Sequence, residues 1–207
     1  MVHPFFLAQR QSGIHPIVEF SRLGYGDAEM KIKNQFILLS ALVLGTASSS
    51  AEEIFQASLT PDIAIHSKTT QINGLALSIW GENPQHALAL GFVNGSTGDS
   101  YGLSWSLVNY ADTYTGVAWS FINVSRTSFI GWQHGALNVS QGYYMGFQSA
   151  FVNVAQEFHG LQLGFVNYSE NLRGVQLGFI NVALNNSWFH DFPDKLATGF
   201  PLVNWSF

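Results

Sequence analysis

Gly160-Leu-Gln-Leu-Gly-Phe-Val-Asn167 and Gly174-Val-Gln-Leu-Gly-Phe-Ile-Asn181 are near-identical octapeptides whose starts lie 14 residues apart. Six looser copies precede them, at 74–81, 87–94, 102–109, 116–123, 131–138 and 146–153. The eight starts are spaced by 13, 15, 14, 15, 15, 14 and 14 residues. A short fixed period means one structural unit laid down many times, and it constrains the fold before any other feature does.

Within one copy the positions run from 1 to 8. Position 2 holds Leu75, Leu88, Leu103, Val117, Trp132, Phe147, Leu161 and Val175. Position 4 holds Leu77, Leu90, Trp105, Trp119, His134, Ser149, Leu163 and Leu177, and position 6 is Ile, Phe, Leu or Ala. Position 3 is only Ala, Ser or Gln, and position 5 only Gly, Ser or Ala. Alternation with period two is the signature of a β-strand with one large apolar face and one small, partly polar face. A helix needs apolar residues at i, i+3 and i+4, which the pattern lacks, and Gly at positions 1 and 5 opposes one. No Asp, Glu, Lys or Arg falls inside any copy; Asp99, Asp112, Arg126, Glu157, Glu170 and Arg173 lie between copies, in connections that read as turns. A soluble β-sandwich also has uncharged strands, but its strands are rarely copies of one another.

The chain has 207 residues, no Cys, a net charge of −5 and only 10% charged residues, against about 25% for ordinary soluble domains. That composition argues against nucleic-acid binding, which wants a basic patch. The lack of Cys excludes a disulfide framework, a thiol nucleophile and a lipid-modified Cys. Residues 30–51 read as a secretory signal peptide: Met30-Lys-Ile-Lys, a ten-residue apolar core at 36–45, and small residues up to Ala51. Residues 1–29 precede that segment and read as a misassigned upstream extension, with translation starting at Met30. Residues 52–207 then form one repeat-built β domain, holding four Lys/Arg against ten Asp/Glu, a net −6.

The chain ends Gly199-Phe-Pro-Leu-Val-Asn-Trp-Ser-Phe207. Phe207, with Trp205 and Val203 at alternate positions before it, resembles the last strand of bacterial outer-membrane β-barrels. In that family this end is the assembly signal, which implies the barrel-assembly machinery and outer-membrane lipid as partners. The repeat G-h-Q-h-G-F-h-N, with h apolar, also resembles a group of bacterial surface-repeat proteins. That resemblance covers about 74–181 and implies export and a cell-surface or outer-membrane position.

These features predict an all-β antiparallel meander closed as a small outer-membrane barrel of 8–10 strands. Positions 2, 4 and 6 would face lipid, and positions 3 and 5 a filled lumen. The alternative is a parallel β-solenoid of 14–15-residue repeats, either secreted or at the cell surface. It is favoured by Asn94, Asn109, Asn123, Asn138, Asn153, Asn167 and Asn181, which fill position 8 in seven copies and stack only in a parallel coil. Against it stands reach: six or seven connecting residues cannot return the chain along an extended strand, so the unit must bend at position 5, as at Gly164 and Gly178.

No metal-ligand spacing, phosphate-binding Gly loop or paired-carboxylate signature is present. Ser187, His190 and Asp191 have the residue types of a nucleophilic site, but adjacency in sequence is no substitute for geometry. His134, on the apolar face, reads as a packing residue. The expectation is a non-enzymatic protein without a cofactor, structural or adhesive or a narrow pore. On the alternative fold it is a scaffold binding a partner, of unspecified identity, along its repeats.

Overall fold

The computed structural model describes residues 52–207. The signal-peptide and upstream-extension expectations lie outside the described residues. The elements are β1 (Glu52–Thr60), β2 (Ile63–Ala64), β3 (Gln71–Asn83), β4 (His86–Trp105), β5 (Val108–Trp119), β6 (Ile122–Ala183) and β7 (Gly199–Ser206). They form one sheet in the order β2-β1-β3-β4-β5-β6-β7. The pairings from β1 through β3, β4 and β5 to β6 are parallel.

This corrects the barrel. Like positions of successive copies pair in register: Leu75 with Leu88, Leu103 with Val117, Val117 with Trp132, and Asn94 with Asn109 and Asn123 in turn. Asn167 and Asn181, which a meander holds at opposite rims, are joined by a hydrogen bond of 2.8 Å. The chain is a parallel β-solenoid, and each copy of the octapeptide is part of one rung.

The reach problem is solved by bending. β6 runs through 62 residues as continuous strand, so no separate return loop exists. Two bends are written in Gly. At position 1, Gly102, Gly116, Gly131, Gly146, Gly160 and Gly174 all adopt φ between 132° and 141°, a conformation that L side chains rarely adopt. A Cβ on Gly146 would also collide with the carbonyl of Gly131, one rung back. At position 5, a Cβ on Gly178 would meet the Gly164 carbonyl and the Asn167 amide.

The interior is largely polar. Position 3 points inward, and Gln133, Gln148, Gln162 and Gln176 form a ladder with amide bonds of 3.1, 2.9 and 2.8 Å. Asn109, Asn123, Asn138, Asn153, Asn167 and Asn181 form a second ladder, with rung-to-rung bonds of 3.2, 2.8, 3.0, 2.9 and 2.8 Å. Each Asn from 109 to 167 also donates to the position-4 carbonyl of the next rung, as Asn153 does to Leu163 at 3.0 Å and Asn167 to Leu177 at 2.9 Å. Buried amides are stable only when satisfied, and stacking identical residues lets each amide inside a ladder donate to one neighbour and accept from the other; the terminal Gln176 Oε1 is left without a donor.

A third column is apolar. Tyr114, Phe129, Tyr144 and Phe158 stack inside the coil with ring centroids 5.5, 5.3 and 5.1 Å apart, and Leu172 continues the column. These residues lie in what the sequence presents as turns, two residues before the position-1 Gly of the next copy.

Both ends of the described coil are capped. At the amino end β2 folds back antiparallel on β1. Gln56 accepts from the His66 amide at 3.0 Å and donates to the His66 carbonyl at 2.9 Å. At the carboxyl end β7 pairs antiparallel with the last rung, Val175 opposite Trp205 and Leu177 opposite Val203. Val203 and Trp205 therefore belong to a capping rung instead of a barrel's closing strand. Pro201 falls at the register break between the Gly178–Leu202 and Asn181–Phe200 pairs, where a residue without an N–H is tolerated. Phe207 is exposed, and its N–H donates to the Asp194 carbonyl at 3.0 Å.

Candidate functional site

Within the octapeptides the polar side chains lie inside and the large apolar ones face out. Positions 2, 4 and 6 form rows parallel to the coil axis. Trp105 is 62% exposed, Phe121 65%, Phe151 61% and Phe179 60%. Leu77, Ile79, Leu88, Phe92, Leu103, Leu107, Trp119, Leu163, Phe165 and Leu177 are also exposed. The outward facing of positions 2, 4 and 6 and the inward facing of position 3 match the sequence reading, although the sheet is parallel; position 5, expected inside, lies instead at the outer surface of a bend.

Along the position-5 bend runs a groove. Its floor is Gly135, Ala150, Gly164 and Gly178, and its walls are His134, Ser149, Leu163 and Leu177 on one side with Phe151 and Phe165 on the other. This stretch encloses about 620 Å³, with Leu202 of β7 at its end. A second stretch of about 340 Å³, lined by Leu90, Gly91, Phe92, Trp105, Ser106 and Leu107, lies in the same groove nearer the amino end. Phe151, Phe165 and Phe179 stack on one another at 5.0 and 5.1 Å with planes 2° and 10° apart. Each ring face is covered by the next, so the row presents ring edges outward.

His134 lies on this surface. Its Nδ1 is 2.9 Å from the Ser149 hydroxyl, which also accepts from Trp132 Nε1 at 3.0 Å, and its ring packs edge-on against Trp119 and Trp132. It is a packing residue, held by an uncharged hydroxyl and two indoles.

The charges lie on other corners of the coil. Arg126 pairs with Asp112 at 3.1 Å and sits 5.3 Å above the Tyr110 ring. The Tyr110 hydroxyl donates to Glu82 at 2.7 Å and accepts from Trp80 Nε1 at 3.2 Å. Burial, with Glu82 beside it, pushes its pKa up to about 12. His159 lies 3.5 Å from Glu157, beside a polar cleft of about 420 Å³ shared with Asn171, Arg173 and Asn185. At the carboxyl cap the Ser187 hydroxyl donates to Asp191 at 2.9 Å. Among the described residues no three His, Asp or Glu converge as a metal site.

The sequence-predicted structural residues come together as expected of a coil: the seven Asn line one interior edge, with Gly164 and Gly178 in the groove floor next to them. The groove itself was not read from the sequence, though its signal was the unbroken run of Gly, Ala and Ser at position 5. No protein-family profile matches the chain, and neither a curated protein nor a solved structure matches it significantly.

Proposed function

We propose that this chain is a non-enzymatic β-solenoid scaffold of the bacterial cell surface, which holds a partner along the apolar face of its repeats. One observation carries the reading: a chain that buries ladders of Asn and Gln exposes rows of Leu, Phe and Trp. Buried polar residues and extended exposed apolar patches are the informative departures from the usual distribution. The signal-peptide pattern at 30–51 and the resemblance of the repeats to surface-repeat proteins support export and an envelope position. A packed interior supports a scaffold over a pore.

The test is fractionation of cells expressing the full chain or the triple variant Phe151→Glu, Phe165→Glu, Phe179→Glu. All three positions are exposed, so the coil tolerates the change, and a melting curve checks this. The native chain should sediment with the envelope and the folded variant should be released to the soluble fraction. Equal envelope retention of both would overturn the proposal.

A further inference from the structure

We infer that the partner of the apolar face is the surface of a neutral lipid bilayer, on which the coil lies with its axis in the membrane plane. This rests on the scaffold reading above and names its partner.

The first argument is area. An aromatic side chain offers about 150–250 Å² of surface. With the position-6 row about half exposed and the position-2 and position-4 rows less so, the three rows leave on the order of 1,500 Å² of apolar side chain in water. The largest apolar patch on a soluble monomer is about 300–600 Å². One partner in a standard protein–protein interface contributes about 800 Å². The face is thus roughly twice what a stable dimer needs from each copy.

The second argument is shape and chemistry. The face is corrugated, two ridges flanking a groove floored by Gly, Ala and Ser. Two copies superposed rung on rung with opposed axes would set ridge on ridge and groove on groove. Acyl chains fill a groove of any section. The ring edges of the Phe151, Phe165 and Phe179 row offer no flat platform for stacking a sugar or base. The backbone suits lipid, because rung-to-rung pairing leaves the strands of the face without a free edge except at the capped ends.

The third argument is charge. No ionisable side chain other than His134 occupies the eight octapeptides, and the charged groups of the repeats lie at the turns beyond them. The chain's net charge of −5 repels an anionic surface, and no Lys or Arg rims the face to offset it. Neutral lipid is the complement. The rows project only their own side chains, so the coil enters the interface to a depth of about 5–10 Å, as surface-lying amphipathic elements do.

The test uses the full chain, whose lack of Cys allows single labels. An environment-sensitive fluorophore is placed on Phe92→Cys or Leu163→Cys, one at each half of the groove, and on Asp99→Cys or Asn171→Cys, which are exposed on the polar corner. Phosphatidylcholine vesicles should shift emission to the blue and raise it several-fold at 92 and 163 and leave 99 and 171 unchanged. Replacing part of the lipid by phosphatidylglycerol should weaken the response. Site resolution excludes binding through the amino-terminal apolar segment, which would leave all four labels alike. Labels at 92 and 163 already blue-shifted in buffer, with twice the monomer mass, would assign the face to a second copy and overturn the lipid inference while sparing the scaffold. Labels exposed to water with and without vesicles would also overturn it. The scaffold reading falls only if the triple Glu variant keeps its envelope retention.

Discussion

Replacing Asn153 by Ala cuts the interior Asn ladder at its middle. Asn153 is fully buried. Its amide donates to Asn167 Oδ1 at 2.9 Å and to the Leu163 carbonyl at 3.0 Å, and its Oδ1 accepts from Asn138 at 3.0 Å. After the change Asn138 keeps the Gln133 and Ser149 carbonyls at 3.2 and 3.4 Å, whereas Asn167 Oδ1 loses its donor. A buried acceptor left unpaired costs about 1–3 kcal/mol, and the other lost bonds about 1 kcal/mol each. The sum is roughly 3–5 kcal/mol, a large share of a typical domain's stability. Asn171→Ala, at an exposed position, should stay within about 0.5 kcal/mol. Asn153→Asp should be worse than Ala at neutral pH, since it sets a buried carboxylate against Asn167 Oδ1, and should recover in acid as the carboxyl takes a proton and regains a donor. The assay is urea denaturation followed by circular dichroism, comparing midpoints at constant slope. An Asn153→Ala midpoint equal to that of Asn171→Ala would refute the claim that the ladder holds the coil together.

Gln162 and Leu163 point opposite ways, Gln162 fully buried and Leu163 47% exposed. Gln162→Arg should therefore unfold the coil and Leu163→Arg should leave its melting temperature within a few degrees, the reverse of what a water-filled lumen predicts. Gly146→Ala should cost more than about 2 kcal/mol in urea denaturation, from the positive φ of 137° and the collision with the Gly131 carbonyl. Burial raises the pKa of Tyr114 and Tyr144 above the usual value. Their stabilisation is complete below about pH 10, where an unfolded Tyr begins to ionise, and is lost as pH rises further. Melting temperature should thus fall steeply above about pH 10, and less so in Tyr144→Phe than in the native chain.

The strand character of each octapeptide and the facing of positions 2, 3, 4 and 6 were legible in the sequence, because the alternation survives in every copy; position 5, read as interior, lies at the outer bend. Direction was not. An alternating strand looks the same whether its neighbour runs with it or against it, and the local pattern therefore served the barrel as well as the coil. The information sat in residues outside the alternation. Asn at position 8 recurs because a buried amide needs its like directly above and below. Tyr114, Phe129, Tyr144, Phe158 and Leu172 recur at spacings of 15, 15, 14 and 14 residues, which is the period of a buried column and not of free loops. The bends were half legible. Gly at positions 1 and 5 marked them, but that strand pairing continues round them became visible only in three dimensions. The terminal strand shows the opposite hazard, since Val203, Trp205 and Phe207 share the alternation of a barrel's last strand while two of them cap a coil.

Parallel stacking of rungs is the central claim, and one pair of positions tests it directly. His159 and Arg173 immediately precede the Gly160 and Gly174 that stack in adjacent rungs. Both side chains lie on the polar corner, beside the same cleft. In a solenoid they sit one strand spacing apart, about 4.8 Å. In a meander they lie at opposite ends of neighbouring eight-residue strands, about 25 Å apart. The doubly substituted chain, His159→Cys with Arg173→Cys, contains no other thiol. A short thiol-bridging reagent should link the two within one folded chain, read as the intact mass plus one bridge with no free thiol. Two independently modified thiols and no bridge, in a chain with native circular dichroism, would contradict the solenoid.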